Sequence, residues 1–267
     1  MKTKMLNLFL FFLLLGSNLV SAEVFSEKID IPEASGIVSL PNGDFLVVDD
    51  DQGIFLLSRD LKEKLILGRD ECNFLEDLEG ITISTDRKSL YILSEVGGRV
   101  FRLPLQKTGS DFKIGKPEPL GSLLTLSERS NKGYEGICVI SLNGQDHLLA
   151  VHQKDPVALA IFSLPELKRL TICRLPPELE QLLANLSDVT VDQRNGHILL
   201  LSAKSCRIVE LRAKIRSSIE ELEIVSNTKL RGQLSGKPEG ICFDSMERLV
   251  IVTDGGGDPG NFIRFDR

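Results

Sequence analysis

The sequence predicts an all-β fold, a five-bladed β-propeller whose last blade is closed by the N-terminal strand. Three observations carry that expectation. One unit recurs five times, each copy contains short runs of strand character, and the last copy lacks a strand that the region before the first copy has to spare.

The unit starts align as Ser35-Gly36-Ile37, Glu79-Gly80-Ile81, Glu135-Gly136-Ile137, Ser187-Asp188-Val189 and Glu239-Gly240-Ile241, with central positions 44, 56, 52 and 52 residues apart. That period is too long for a solenoid coil and suits a propeller blade. A second apolar run follows each start: "DFLVVDD", "SLYILSE", "HLLAVHQ", "HILLLSA" and "RLVIVTD". The third runs are "GIFLLSRD", "RVFRLPL", "ALAIFSLP", "RIVELRA" and "NFIRFDR". Branched and aromatic residues bounded by Gly, Asn, Asp or Pro are strand signals. Fourth strands are predicted at 64–67, 113–121, 170–174 and 222–225. The fifth unit stops after its third strand, so Glu23–Ile31 is predicted to complete it, which also removes an exposed sheet edge. Leu179, Leu182, Leu183 and Leu186 follow two prolines at helical spacing and predict a short helix packed at the entrance to the fourth blade.

Residues 1–22 read as a secretory signal peptide. Lys2 and Lys4 precede the apolar run Leu6–Leu15, and Val20-Ser21-Ala22 offers small residues for cleavage. The run is short for a transmembrane helix, and no later stretch is long enough to span a membrane. Cleavage after Ala22 leaves 245 of the 267 residues, a single propeller domain over 23–267, and moves the formal charge from −6 to −8 by removing two lysines. The expected location is periplasmic or secreted. A moderately acidic chain without basic clusters gives no support for nucleic-acid or anionic-membrane binding. The five cysteines include no CxxC pair, so they read first as small buried hydrophobes, with one disulfide of unassigned partners still open.

Within a blade, the start of the first strand and the end of the second share one face, and the first strand lies beside the central channel. Glu79, Glu135 and Glu239 are therefore predicted around the channel mouth, with Ser35 and, one residue out of register, Asp188 in the same ring. Second-strand ends add Asp49, Asp50, Glu95, His152 and Asp254. The recurrent glycine lets five inner strands converge. Carboxylates crowded at one opening repel each other, and a hard cation removes that repulsion. Calcium takes six to eight oxygen ligands, whereas zinc favours the His and Cys that are scarce on this face. The metal candidates are Glu79, Glu135, Glu239, Asp188, Glu95 and Asp254, with calcium as the expected ion. The alternative has the glutamates capping backbone amides or holding water. "VVDDDQG" and "TDGGGDPGN" lack EF-hand spacing and read as turns, the second long enough to shape the rim.

On "DLEGI" (77–81), "NKGYEGI" (131–137), "LSDVTVDQRNGHILLLSAKS" (186–205) and "PEGI" (238–241), the chain resembles the SdiA-regulated family of exported bacterial proteins. The resemblance implies a five-bladed propeller similar to NHL-repeat propellers, with a calcium site and no established physiological role. Two places depart from the family pattern. His152-Gln153 stands where the family tends to carry glutamate at the end of the third blade's second strand. The Asp254–Asn261 loop replaces a compact Glu-Pro-Asn turn and is similar to that of phytase-like propellers described as esterases.

Three functions fit this reading. The first is a calcium-binding module whose partner is a small molecule or protein. The second is a metal-dependent hydrolase acting on lactones, esters or phosphoesters, resembling gluconolactonase- and paraoxonase-type propellers, with Glu135, Glu95 or His152 as base. The third is a scaffold in which the ion ties blades together. No GxSxG elbow or HExxH pair demands the enzyme, and fold does not decide. The absence of Trp and the presence of only Tyr91 and Tyr134 speak against a carbohydrate-stacking groove.

Overall fold

A computed structural model describes residues 23–69, 76–124, 126, 133–216, 218–230, 232 and 234–266. The predicted signal peptide and Cys72 lie outside these. Among the described residues, twenty-one strands form five small antiparallel sheets, the five blades of a propeller. Blade 1 contains β2 (Ala34–Ser39), β3 (Phe45–Asp49), β4 (Gly53–Leu57) and β5 (Glu63–Gly68). Blade 2 contains β6 (Leu78–Ile83), β7 (Ser89–Ser94), β8 (Arg99–Thr108), β9 (Asp111–Ile114) and β10 (Glu118–Ser122). Blade 3 contains β11 (Tyr134–Leu142), β12 (Gln145–His152), β13 (Ala158–Ser163) and β14 (Arg169–Arg174). Blade 4 contains β15 (Asp188–Asp192), β16 (His197–Ser202), β17 (Arg207–Ile215) and β18 (Ile219–Lys229). Blade 5 contains β19 (Lys237–Phe243), β20 (Leu249–Asp254), β21 (Gly260–Asp266) and β1 (Glu23–Ile29).

The closure is the predicted one. β1 pairs antiparallel with β21 from Glu23↔Asp266 to Ile29↔Gly260, so a strand from one end of the chain completes the sheet at the other. Its outward positions are exposed, and Ile29 anchors it in the core beside Phe262. Deleting residues 23–29 should leave β21 as an open edge and uncover that core. A drop in Tm of about 10 °C or more, with aggregation on heating, is the expected result; an unchanged melting profile would show that β1 does not hold the ring.

One fourth strand differs from expectation. The single strand predicted at 113–121 is two strands, because β8 is ten residues long and pairs with β9 along its far half and with β10 along its near half. The predicted helix forms as α1 (Pro177–Leu183), and Leu179, Leu183 and Leu186 pack into the apolar layer between blades 3 and 4.

Five apolar clusters lie between successive blades, including the pair formed by blade 5 and blade 1. Each blade is thus covered on both faces. That is why runs such as Phe45–Val48 are apolar at consecutive positions rather than alternating. The inner strands close a ring, with β2 beside β6 and β19, β6 beside β11, and β15 between β11 and β19.

Candidate metal centre

Why a strand should begin Glu-Gly-Ile is answered by a β-bulge. Four inner strands shift register at the same place, between Ala34 and Gly36, Leu78 and Gly80, Tyr134 and Gly136, and Pro238 and Gly240. Ser35, Glu79, Glu135 and Glu239 are the extra residues. A bulged residue leaves the strand's alternation and re-aims its side chain. The glycine beside it is required by space: a Cβ on Gly36 would lie 2.9 Å from the Glu79 carbonyl oxygen, and one on Gly240 3.0 Å from the Cα of Gly36.

Blade 4 is the exception. β15 pairs regularly with β16, Asp188 opposite Leu201, and Asp188 occupies the glycine's place. Its buried carboxyl accepts the N–H of Val189 (2.8 Å) and that of Ile241 on the neighbouring β19 (2.8 Å). Burial pushes this carboxyl well up, against the lowering effect of the two amides.

Three of the six predicted metal residues come together. Glu79, Glu95 and Glu135 each offer an oxygen, all within 4.8 Å of one another. Glu95 follows β7 and also accepts the N–H of Gly133 (3.2 Å). Glu135 is only 7 % exposed. Burial drives Glu135 and Glu79 well above the usual carboxylate range, and the facing carboxylates add to the effect. No salt bridge among the described residues reaches either of them.

The other three stand apart from that triad. Glu239 is raised to about 7, by burial first and then by Asp254, while the Ser187 hydroxyl donates to it. Asp254 is engaged by Lys237 Nζ at 2.8 Å and by the Gly256 amide at 2.5 Å. Asp188 spends both oxygens on backbone amides, as above. Each is held by another donor: Glu239 by the Ser187 hydroxyl, Asp254 by Lys237 and the Gly256 amide, and Asp188 by the amides of Val189 and Ile241.

The structure brings in Asp50, placed on this face by the sequence but not among the six metal candidates, and Asp77, which the sequence reading did not select. With Glu79 they form a second triad whose oxygens also lie within 4.8 Å of one another. Asp50 accepts the hydroxyl of Ser35 and is pushed up to about 7, chiefly by burial, with Asp77 and Asp49 contributing. Asp77 precedes β6 at φ 55°, just outside the repeated motif, so periodicity gave no reason to select it. Neighbouring Asp49 is consumed by its own turn, accepting amides from Glu33 (3.0 Å), Asp51 (3.1 Å) and Gln52 (2.8 Å).

His152 belongs to neither triad. It is fully buried, its Nδ1 lies 2.8 Å from the Pro156 carbonyl oxygen, and its ring meets Tyr134 edge-on at 5.3 Å. Burial lowers its pKa below 6.5. Because the unfolded chain takes up this proton first, stability should fall as pH drops from about 6.5 towards the lower folded-state value. A His152→Gln variant should show a flatter dependence of Tm on pH between about 7 and 5; parallel slopes would contradict the assignment. At the far end of the channel, Cys138 and Cys242 line a cavity of about 390 Å³. Both are free thiols held up by burial, Cys138 to about 12, and so are poor nucleophiles.

Fold and mouth together define a class: a five-bladed β-propeller with a carboxylate-lined channel entrance. Within that class the chain belongs to the SdiA-regulated family, whose model matches residues 33–266. No curated protein matches the sequence. Among solved structures, the glutaminyl cyclase of Myxococcus xanthus is similar at TM-score 0.56 and 15% identity, over 92% of this chain and 96% of that one. A calcium structure of a Trichoderma reesei family AA12 carbohydrate-active enzyme gives 0.55 and 10%, over 92% and 96%. A protein assigned as a gluconolactonase gives 0.54 and 12%, over 92% and 82%. These neighbours are enzymes, and at such identities the likeness is one of fold.

Proposed function

We propose that the chain is an exported calcium-binding β-propeller acting as a binding module, its ion held at the channel mouth by Glu79, Glu95 and Glu135. The observation that carries this reading is the crowded triad: three carboxyls with oxygens within 4.8 Å of one another, no salt bridge among the described residues to Glu79 or Glu135, and the carboxyls of Glu79 and Glu135 pushed up by burial and by their acidic neighbours. An all-oxygen donor set suits a hard cation, and the His- and Cys-rich set that zinc favours is not present here. When bound, calcium would neutralise the mouth and offer its remaining coordination positions to a ligand's oxygens. The signal-peptide pattern supports export, and the recurrence of a solved calcium structure on this fold is consistent with the choice of ion.

The test is metal content of the purified mature chain, followed by thermal unfolding with calcium or EDTA, beside a Glu79/Glu135/Glu239→Gln triple variant. Stoichiometric calcium with EDTA lowering Tm only in the parent is the expected result. Absence of metal and indifference to calcium would overturn the site.

One observation favours a second reading. Glu79 and Glu239 remain partly exposed, so the mouth opens to solvent and to a substrate. Calcium-dependent turnover of a lactone, ester or phosphoester, lost in Glu95→Gln, would make the protein a hydrolase. Calcium binding without any turnover leaves the binding module.

A further inference from the structure

A further cavity, of about 600 Å³, opens on the face opposite the channel mouth, between the rims of blades 2 and 3. Its walls come from the β6–β7 turn, from β7 and β8, from the start of β12 and from the β13–β14 turn. That volume lies within the range of about 300–1,000 Å³ usual for small-molecule sites.

One side chain in it points to a ligand. Tyr91 is only 8 % exposed, its ring packed with Val139 and Leu148 in the apolar layer between the two blades. Among the described residues nothing hydrogen-bonds its hydroxyl, and that oxygen is not one of the sealed polar atoms, which are Arg99 Nη2, His152 Nε2 and Arg207 Nε. The hydroxyl therefore faces the cavity. Burial pushes the phenol's pKa up, so it stays protonated and able to donate. Directly opposite on β8 stands Arg102. Its Nε donates to Ser89 Oγ at 3.0 Å, and its ion pair with Glu118 is 3.8 Å long and about half exposed. A pair that loose holds little. The outer N–H groups of the guanidinium remain for a ligand carboxylate, which arginine grips with two parallel bonds.

The blade 3 side is made of acceptors. Asp146 takes the amide (3.0 Å) and the hydroxyl (2.6 Å) of Thr85, which fixes its carboxylate across the blade boundary and leaves a lone pair on each oxygen. His147 Nδ1 lies 2.9 Å from the Gln145 carbonyl oxygen, so that nitrogen carries the proton and Nε2 of the neutral ring is left as an acceptor. Glu166 stands on the outer rim, accepting Ser163 Oγ at 3.4 Å.

Charge then narrows the class. One guanidinium shares the cavity with three carboxylates, those of Asp86, Asp146 and Glu166, so a plain anion is repelled. A plain cation leaves Arg102 and the Tyr91 hydroxyl unanswered. A sugar gains little from stacking here, because the tyrosine ring is buried. The ligand that answers both walls carries a carboxylate and an ammonium. We propose that this cavity is a second binding site, separate from the channel mouth, for a small zwitterion of the amino-acid or short-peptide class. Its carboxylate lies on Arg102 and the Tyr91 hydroxyl, and its ammonium faces Asp146 and Glu166.

The experiment is a thermal-shift screen of the mature protein against the standard amino acids and glycylglycine, with calorimetric titration of the best binder and circular dichroism confirming each variant's fold. Saturable binding of a free zwitterion is the expected result. It should weaken at least about tenfold in Tyr91→Phe and in Arg102→Gln, and likewise when the probe's amine is acetylated or its carboxylate amidated. Without ligand, Tyr91→Phe should melt no lower than the parent, since the hydroxyl makes no bond within the chain; a structural tyrosine would not behave so. Glu135→Gln should bind the probe as the parent does. No binding by any probe, binding unchanged in both Tyr91→Phe and Arg102→Gln, or binding lost in Glu135→Gln would overturn the site. Tighter binding of glucose or inorganic phosphate would overturn the class.

Discussion

Replacing Glu135 with Gln should change sign with calcium. In EDTA the variant is expected to be more stable than the parent, by on the order of 1 kcal/mol, because it removes a buried carboxylate that faces Glu95, Glu239 and Glu79. In saturating calcium the order should reverse. An ion present at ~100 times its Kd stabilises the parent by about 2.7 kcal/mol, roughly a 5–10 °C rise in Tm at this size, and the variant forfeits most of that. The measurement is two pairs of melting curves. A variant that is less stable than the parent in both conditions would show Glu135 to be an ordinary structural hydrogen-bonding residue.

The second large effect concerns the convergence of inner strands. Gly136 faces blade 4's departure from the motif: a Cβ there would lie 2.4 Å from both the Cα and the Oδ1 of Asp188, and 2.9 Å from the Ser187 carbonyl oxygen. Backbone on both sides cannot retreat without opening the ring. Gly136→Ala should cost ~3 kcal/mol or more. Gly80→Ala should cost less, since its nearest contacts, Cγ1 and the backbone nitrogen of Ile137, are at 3.1 Å. Gly144→Ala, at a turn with nothing within 4 Å, should cost only the left-handed backbone penalty of about 1 kcal/mol. Denaturant unfolding of the three variants gives the order directly. Equal losses at Gly136 and Gly144 would mean that the ring is looser than these distances require.

The ring of blades is legible in the sequence because its causes are local and repeated. Apolar runs covered on both faces, turn residues at their ends and a surplus strand at one terminus are all written in composition and spacing. The Glu-Gly pair was readable as a mouth and a close approach, since only those two residue types answer both needs at once. The bulge behind it was not readable. An extra residue in a ladder is defined by its partner strand, and neither Leu78↔Ser94 nor Gly80↔Leu93 is visible until β6 and β7 pair.

The same limit explains where the predicted site residues stand. Asp188 looked like one more ring carboxylate, yet without a bulge it is buried and accepts the amides of Val189 and Ile241. Asp254 was drawn from the rim by Lys237, seventeen residues away in sequence. Asp77 lies two residues before a motif glutamate, in a segment whose direction depends on a left-handed backbone turn. In each case the placement of the side chain was decided by neighbours or backbone geometry that the spacing of the repeat does not display.

The central claim is that Glu79, Glu95 and Glu135 hold a divalent cation. It is tested most directly by crystals of residues 23–267 grown in calcium and measured for anomalous scattering. The account predicts a calcium peak with oxygens of those three carboxylates at about 2.3–2.6 Å. A map with no such peak under saturating calcium, and Glu135 hydrogen-bonded instead to water or to neighbouring amides, would contradict it.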